Sequence, residues 1–404
     1  MTMLAGAGAG AATGAGGAPV VAASNERHRR ERTWVHRWSA DGPSLWYHLA
    51  DGALHRTRPD DLDRPDTVLD TREATTGAPL KVYVDLTNRC NLSCRHCISD
   101  SGPHVDTSAE LGTDRLLALV DELAGMGVLE IASAGGEPFL HPDWERVFRR
   151  VSERGMNLMV TTNGLLLGEH ALEVLREIQP LEVRVSFDGG PRLHEHVRGA
   201  HTYARSMRTV ARMVDAGLSV TGRLTLCAGG DDELGVLFGD LTAAGVRTVK
   251  VAVAKSAGRG ATDTGRHLVR KLPDPDVASL LRRLADEAGL ELRLAADDFP
   301  AELHDGVLSK LRDVDRPSCG AGTDTAYVTP RGELLGCVAI PDRPFGELHT
   351  ASFSEVWAGR AAQHYRQDAE ESGARRLCDA LAQPMTPSGA IMVGMPRRRP
   401  DRPR

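Results

Sequence analysis

Thr87-Asn88-Arg89-Cys90-Asn91-Leu92-Ser93-Cys94-Arg95-His96-Cys97 follows a short apolar run, 81–87, and decides how the rest of the chain is read. Three cysteines spaced by three and then two residues can wrap one face of a cubane cluster from a single loop. They would give thiolates to three irons and leave the fourth iron open to chelation by an amine and a carboxylate. The alternative is a closed zinc site. That site needs four ligands, and His96, adjacent to Cys97, is poorly placed to join the same ion.

Outward from this loop, short apolar runs alternate with helical periodicity. Strands are expected at 81–87, 128–134, 157–162, 182–188, 218–226 and 248–254. Helices are expected at 113–126, 142–154, 168–178, 201–216, 231–244 and 275–288. In the first helix Leu116, Val120 and Leu123 share a face, with Thr113 as N-cap and Gly127 as the stop. Such alternation implies a parallel sheet with right-handed crossovers, and chemistry at the carboxyl ends of its strands. Periodicity alone does not say whether the sheet is open or curled.

Flanking segments read differently. Residues 1–30 form a Gly/Ala-rich leader expected to be disordered, without the basic start and apolar centre of a signal peptide. Trp34, Trp38, Trp46 and Tyr47 surround turn residues and predict a small β-hairpin over 33–56, followed by a linker over Arg58–Thr76. The division is therefore 31–79 for the β element and linker, 80–300 for the α/β core, 301–393 for a C-terminal cysteine region, and 394–404 for an Arg/Pro tail expected to be disordered.

With 26% charged residues and a net charge of −6, the 404-residue chain has no electrostatic signature of a nucleic-acid binder. No apolar run reaches the ~18 residues of a membrane span, so a cytoplasmic location is expected. Seven cysteines, three of them within eight residues, suit metal binding better than a disulfide framework.

The Cys-x3-Cys-x2-Cys pattern resembles the signature of the radical S-adenosylmethionine (SAM) superfamily, and the resemblance covers about residues 80–260. Gly135, Gly136, Glu137 and Pro138 end the second predicted strand and look like that family's motif for the SAM amino group. Glycines let backbone approach a ligand, and a carboxylate accepts hydrogen bonds from an ammonium. Asn163, in Thr162-Asn163-Gly164, ends the third strand and also reads as an ordinary turn. Ser186 and Arg198 recur at the spacing of the peptide-modifying branch, where the matching residues contact SAM ribose and carboxylate. The fork of Arg198 suits a carboxylate, although by itself it reads as a surface residue. The resemblance implies a partial (β/α)6 barrel and a 4Fe–4S cluster on Cys90, Cys94 and Cys97. Reductive cleavage of SAM there would give a 5′-deoxyadenosyl radical that abstracts hydrogen from a substrate carbon.

Cys319 and Cys337 enclose Gly332 at the spacing that opens SPASM and twitch extensions, which hold auxiliary iron–sulfur clusters. Tyr327 to Leu334 predicts a hairpin joining them, in a small irregular extension. A full SPASM tail would carry several more cysteines, but only Cys378 follows, and Leu381 stands where a partner is expected. One auxiliary cluster on Cys319, Cys337 and Cys378, with a non-cysteine fourth ligand or an open iron, or two incidental thiols, are the readings left open. Cys227 reads as a core residue.

Within the superfamily, His96, Ser101-Gly102 and Ser256-Ala257-Gly258-Arg259-Gly260 resemble maturases of ribosomally made peptides, the mycofactocin maturases among them. That resemblance implies peptide modification, an external donor such as a flavodoxin or ferredoxin, and a separate peptide-recognition protein. The alternatives are dehydrogenation or decarboxylation of a small molecule such as an aminocyclitol or haem precursor, or a non-catalytic iron–sulfur or zinc protein. No catalytic acid, base or radical quencher is legible.

Overall fold

The computed structural model describes residues 33–37, 45–48, 54–55, 67–70, 78–270, 275–294 and 320–372. The expected leader and tail, Cys319 and Cys378 lie outside them.

Near the N-terminus, β1 (Thr33–Arg37), β2 (Leu45–His48), β3 (Leu54–His55) and β4 (Thr67–Asp70) form a small sheet in the order β3-β2-β1-β4. β1 pairs antiparallel with β2, as a hairpin requires. β4 runs parallel to β1 and falls inside the stretch read as a linker.

The main sheet contains β5 (Lys81–Val84), β6 (Glu130–Ser133), β7 (Asn157–Thr162), β8 (Glu182–Phe187), β9 (Val220–Leu226), β10 (Thr248–Val253) and β11 (Glu291–Leu294), all parallel. Helices α1 (Thr113–Gly125), α2 (Trp144–Glu153), α3 (Glu169–Ile178), α4 (Pro191–Arg198), α5 (Thr202–Asp215), α6 (Leu234–Ala243) and α7 (Pro275–Ala288) connect them. The sheet is open, ending at β11, as a partial barrel requires. In this core the sequence missed α4, because Pro191-Arg192-Leu193-His194 offers one buried leucine among polar groups, and β11, a four-residue edge strand too short to show alternation.

Strand alternation sorts the two faces. Val183, Val185 and Phe187 of β8 join Leu224, Val249, Val251 and α5–α7 residues such as Val210, Met213, Leu237 and Leu281 in one apolar core. Burying each such side chain contributes about 1.5–3 kcal/mol. α1 follows the same rule with Leu116, Leu119, Val120 and Leu123. Its N-cap is Gly112, one residue before the expected Thr113, whose hydroxyl instead donates to Asp143 at 2.6 Å. The inner face is polar, presenting Glu182, Arg184 and Ser186 from β8 alone.

The C-terminal region completes the sheet. β12 (Thr325–Val328) and β13 (Glu333–Leu335) form the expected hairpin, with Val328 opposite Leu334, and β14 (Gly346–Glu347) follows. β12 also lies parallel to β5, with Thr325 opposite Lys81 and Val328 opposite Val84. α8 (Phe353–Trp357), with a Ser352/Glu355 capping box, and α9 (Arg360–Ser372) cover this end. Val328, Leu334, Phe345, Phe353, Trp357 and Tyr365 share one core with α1 and α2, so the two regions are packed as one body.

Candidate radical site at the carboxyl ends of the strands

The cysteine loop leaves β5 and is pinned on three sides. Cys90 N–H donates to Gly102 at 3.0 Å, and Gly102 N–H returns to Asn88 at 3.2 Å, closing the loop's base. From β6, Gly136 N–H donates to Thr87 and Glu137 N–H to Arg89, both at 2.9 Å. This zipper explains the glycine: a Cβ on Gly136 would lie 2.1 Å from the Arg89 carbonyl oxygen. Only a residue without a side chain permits that approach.

On the third side, the Ser256–Gly260 stretch wraps beneath the loop. Arg259 N–H donates to Cys97 O at 2.9 Å, and its guanidinium reaches Cys94 O at 2.8 Å, Ser101 O at 2.7 Å and Asp100 at 2.8 Å. A Cβ on Gly258 would lie 2.4 Å from Ile98 O. The sequence singled out this stretch without assigning Arg259 a task; the structure makes it a clamp.

Asp188, at the end of β8, is the second residue whose task was not legible. It is fully buried and accepts from His96 Nε2 at 2.8 Å and from the Arg198 fork at 2.6 and 3.0 Å. Burial alone would raise its carboxyl, but Arg198 and His96 hold it far below the usual carboxylate range. Burial likewise opposes the Arg198 charge, and Asp188 more than compensates. Arg198 thus ends α4 with two of its donors on Asp188, beside Cys94. Asp188, His96 and Cys227 bring ligand atoms within 4.8 Å of one another, but the Asp188 charge there is already met by Arg198.

Glu137 is wholly buried. It accepts from Thr162 Oγ1 at 2.7 Å and Asn163 N at 2.9 Å, tying the end of β6 to the end of β7. Burial pushes its carboxyl up to about 7. Asn163 Nδ2 donates to Asn91 at 2.8 Å and lies 3.8 Å from Cys90 Sγ. Ser186, half-buried on the inner face, lies two residues before Asp188. Gly135, Glu137, Asn163 and Arg198 therefore gather around the cysteine loop, with Ser186 below it.

The thiols fit a cluster. Cys90, Cys94 and Cys97 are half-buried and unbridged. Burial, with neighbouring cysteines acting in the same direction, pushes Cys90 up to about 11 and Cys94 to about 12. Three adjacent thiolates in such surroundings need metal charge to persist. Among the described residues these thiols form no set within 4.8 Å, whereas ligands of one zinc at about 2.3 Å would. The spacing suits several irons better than one ion.

At the C-terminal side Cys337 is half-buried, its sulfur accepting from Ala339 N–H at 3.4 Å. Nearby, the Tyr327 hydroxyl donates to Asp85, whose carboxyl burial raises to about 7.

Comparison with known proteins agrees with this arrangement. The radical SAM superfamily profile matches residues 84–234, and an iron–sulfur cluster-binding domain, SPASM, matches residues 319–380. The chain is 27% identical over 328 residues to the PqqA peptide cyclase of Ruegeria pomeroyi, covering 78% of this chain and 84% of that one. It is 28% identical over 312 residues to the mycofactocin maturase MftC of Mycobacterium ulcerans, covering 74% and 80%. In fold it is similar to Streptococcus suis SuiB solved with S-adenosylmethionine, with a TM-score of 0.59 at 15% identity over 72% of this chain and 68% of that one. With its cysteine loop and its open parallel sheet, the chain carries a radical SAM domain over residues 84–234, and its C-terminal extension carries a SPASM domain over residues 319–380.

Proposed function

We propose that the chain is a radical SAM peptide maturase, in which Cys90, Cys94 and Cys97 hold a 4Fe–4S cluster and the surrounding strand ends hold SAM. The observation that carries this reading is the convergence of the cysteine loop, Gly135–Pro138, Asn163 and the Asp188–Arg198 pair at the carboxyl ends of β5–β8. When bound, a cluster held by Cys90, Cys94 and Cys97 would supply the electron for reductive cleavage of SAM, and through it the means to abstract hydrogen from a substrate carbon.

The chain's own residues do the positioning. Arg259 and the Gly136 zipper fix the backbone of the loop that carries the three thiols. Glu137 holds the Asn163 backbone and so fixes the strand ends that would hold the methionine end of SAM. Asp188 aligns the Arg198 guanidinium, leaving its outer edge for the SAM carboxylate. The polar inner face of the sheet receives the substrate.

A peptide substrate is supported by the relatives, named as a PqqA peptide cyclase and mycofactocin maturases. The fold neighbour SuiB has also been solved with its precursor peptide SuiA. An external flavodoxin or ferredoxin as electron donor, a separate peptide-recognition protein, and an auxiliary cluster on Cys319, Cys337 and Cys378 complete the proposal. No described helix is long and apolar enough to cross a membrane.

The test is anaerobic reconstitution with SAM and a strong reductant. 5′-Deoxyadenosine should form with the wild-type chain and be absent when Cys90, Cys94 and Cys97 are all replaced by Ala. Undiminished cleavage by the triple variant overturns the reading.

A further inference from the structure

One hydroxyl touches both a thiol of the cysteine loop and the backbone of the glycine motif after β6. Ser99 Oγ lies 3.6 Å from Cys97 Sγ, 2.9 Å from the Ser101 hydroxyl and 3.3 Å from the Gly135 carbonyl, to which it can donate. Neither serine has a task in the site described above.

The backbone holds Ser99 in that place. Asp100 N–H donates to Cys97 O at 3.4 Å, closing a tight turn with Ile98 and Ser99 at its corner. Arg259 grips both sides of this turn, through its N–H to Cys97 O and its guanidinium to Asp100 and Ser101 O. Gly258 closes from beneath, where a Cβ would lie 2.5 Å from Cys97 O. Ser99 is thus seated beside the sulfur by a clamped turn, not by the reach of a long side chain.

The direction of the bonds follows from their chemistry. A free thiol can donate to Ser99, but an iron-bound thiolate has no hydrogen and can only accept. Ser101 is buried, so its hydroxyl turns to Ser99 rather than to water. Donation from Ser101 leaves the Ser99 hydrogen for Cys97 Sγ or Gly135 O. The Gly135 contact, at 3.3 Å, is longer than an ordinary O–H···O bond. Sulfur is the larger atom and, as thiolate, carries charge, so it is the stronger acceptor.

We infer that Ser99 donates a hydrogen bond to the Cys97 thiolate and so raises the reduction potential of the 4Fe–4S cluster held by the loop. The inference rests on the radical SAM reading above, and Ser99 acts in it as a positioning residue, through Cys97. Hydrogen bonds to cluster sulfurs are one of the levers on such potentials. A donor stabilises negative sulfur, and the reduced cluster holds one electron more than the oxidised one. The bond therefore favours the reduced form, which reductive cleavage of SAM requires. Asn163 Nδ2, 3.8 Å from Cys90 Sγ, is a longer counterpart at a second thiol.

The test is potentiometric titration of the anaerobically reconstituted full chain with dithionite, followed by electron paramagnetic resonance. The signal missing from the chain with Cys90, Cys94 and Cys97 all replaced by Ala marks the cluster concerned. Ser99→Ala should make its reduction about tenfold harder, a fall of about 59 mV for one electron, with iron content unchanged. Ser99→Thr keeps the hydroxyl and should stay with the wild type. A Ser99→Ala potential equal to the wild-type value overturns the inference. So does a Ser99→Thr potential that falls as far as that of Ser99→Ala, since packing would then be the cause. A Ser99→Ala chain that takes up no iron overturns it too, because a hydroxyl that only tunes the cluster is not needed to build it. SAM cleavage by the wild-type chain is read separately. Cleavage with an unshifted Ser99→Ala potential refutes only the tuning, and a shifted potential without cleavage refutes only the radical reading. A wild-type signal that survives the triple replacement intact refutes both.

Discussion

Replacing Asp188 by Asn should loosen the radical site without removing a single cysteine. The carboxylate is fully buried and accepts three hydrogen bonds, two from Arg198 and one from His96. Removing one partner of a buried ion pair costs about 3–5 kcal/mol, because the other charge is left stranded. Asparagine keeps the shape and one acceptor, so the lower end, about 3 kcal/mol, is expected. At about 2–4 °C per kcal/mol for a core of this size, the metal-free chain should melt about 6–12 °C lower. Arg198→Met removes the stranded charge, so the double variant should be less destabilised than the two single costs added together. A coupling of at least about 1.5 kcal/mol is expected, well beyond the ~0.5 kcal/mol scatter of independent sites. After reconstitution, the Asp188→Asn protein should also lose iron faster to a chelator, since His96 sits between two cluster cysteines. An unchanged melt, or costs that simply add, would refute the hub.

Gly136→Ala should cost about 1–3 kcal/mol or more by overpacking and impair iron incorporation, since its Cβ meets backbone at 2.1 Å. Gly112→Ala, with open space around it, should leave iron incorporation unchanged and cost only the smaller penalty of an alanine at the α1 N-cap. Arg259→Ala removes hydrogen bonds to Cys94 O and Ser101 O, so iron release to a chelator should accelerate while helix content by circular dichroism stays constant. Burial alone would raise Glu182, but Arg184 holds it down at about 2 against an ordinary 4.5. The unfolded chain therefore takes up this proton first as pH falls, and about 3 kcal/mol present above pH 4.5 drains away towards pH 2. Glu182→Gln should flatten that acid limb in urea titrations; an equally steep limb would deny Glu182 the role. Reconstituted chain should hold about eight irons, four surviving replacement of Cys90, Cys94 and Cys97, and none surviving further replacement of Cys319 and Cys337. Saturation at four would leave the second region without a cluster.

Strand and helix positions in the core were legible because burial imposes period two on strands and 3.6 on helices. Leu116, Val120 and Leu123 are an example, all buried on α1. The site's motifs were legible as chemistry, but their mutual bonds were not. Nothing local says that Glu137 spends both oxygens on Thr162 and Asn163, or that Arg198 reaches back ten residues to Asp188. Such pairings depend on strand order and shear. The same holds for Arg259, which touches residues more than 150 positions away. Only its glycine neighbours signalled a close approach. β4 escaped notice because Thr67-Val68-Leu69-Asp70 is too short to show alternation amid charged residues.

The parallel pairing of β12 with β5 has a consequence for how the protein is made. β5 emerges from the ribosome early, yet one of its edges waits for Thr325–Val328, some 240 residues later. At about 5–20 residues per second, that edge stays unpaired for roughly 12–50 s of synthesis. A strand edge in this state is an invitation to pair with another chain. The strand left open is the one leading into the cysteine loop. The sheet beside the loop is therefore completed late in synthesis, and shortening the chain before β12 should yield aggregated protein with the whole loop sequence intact.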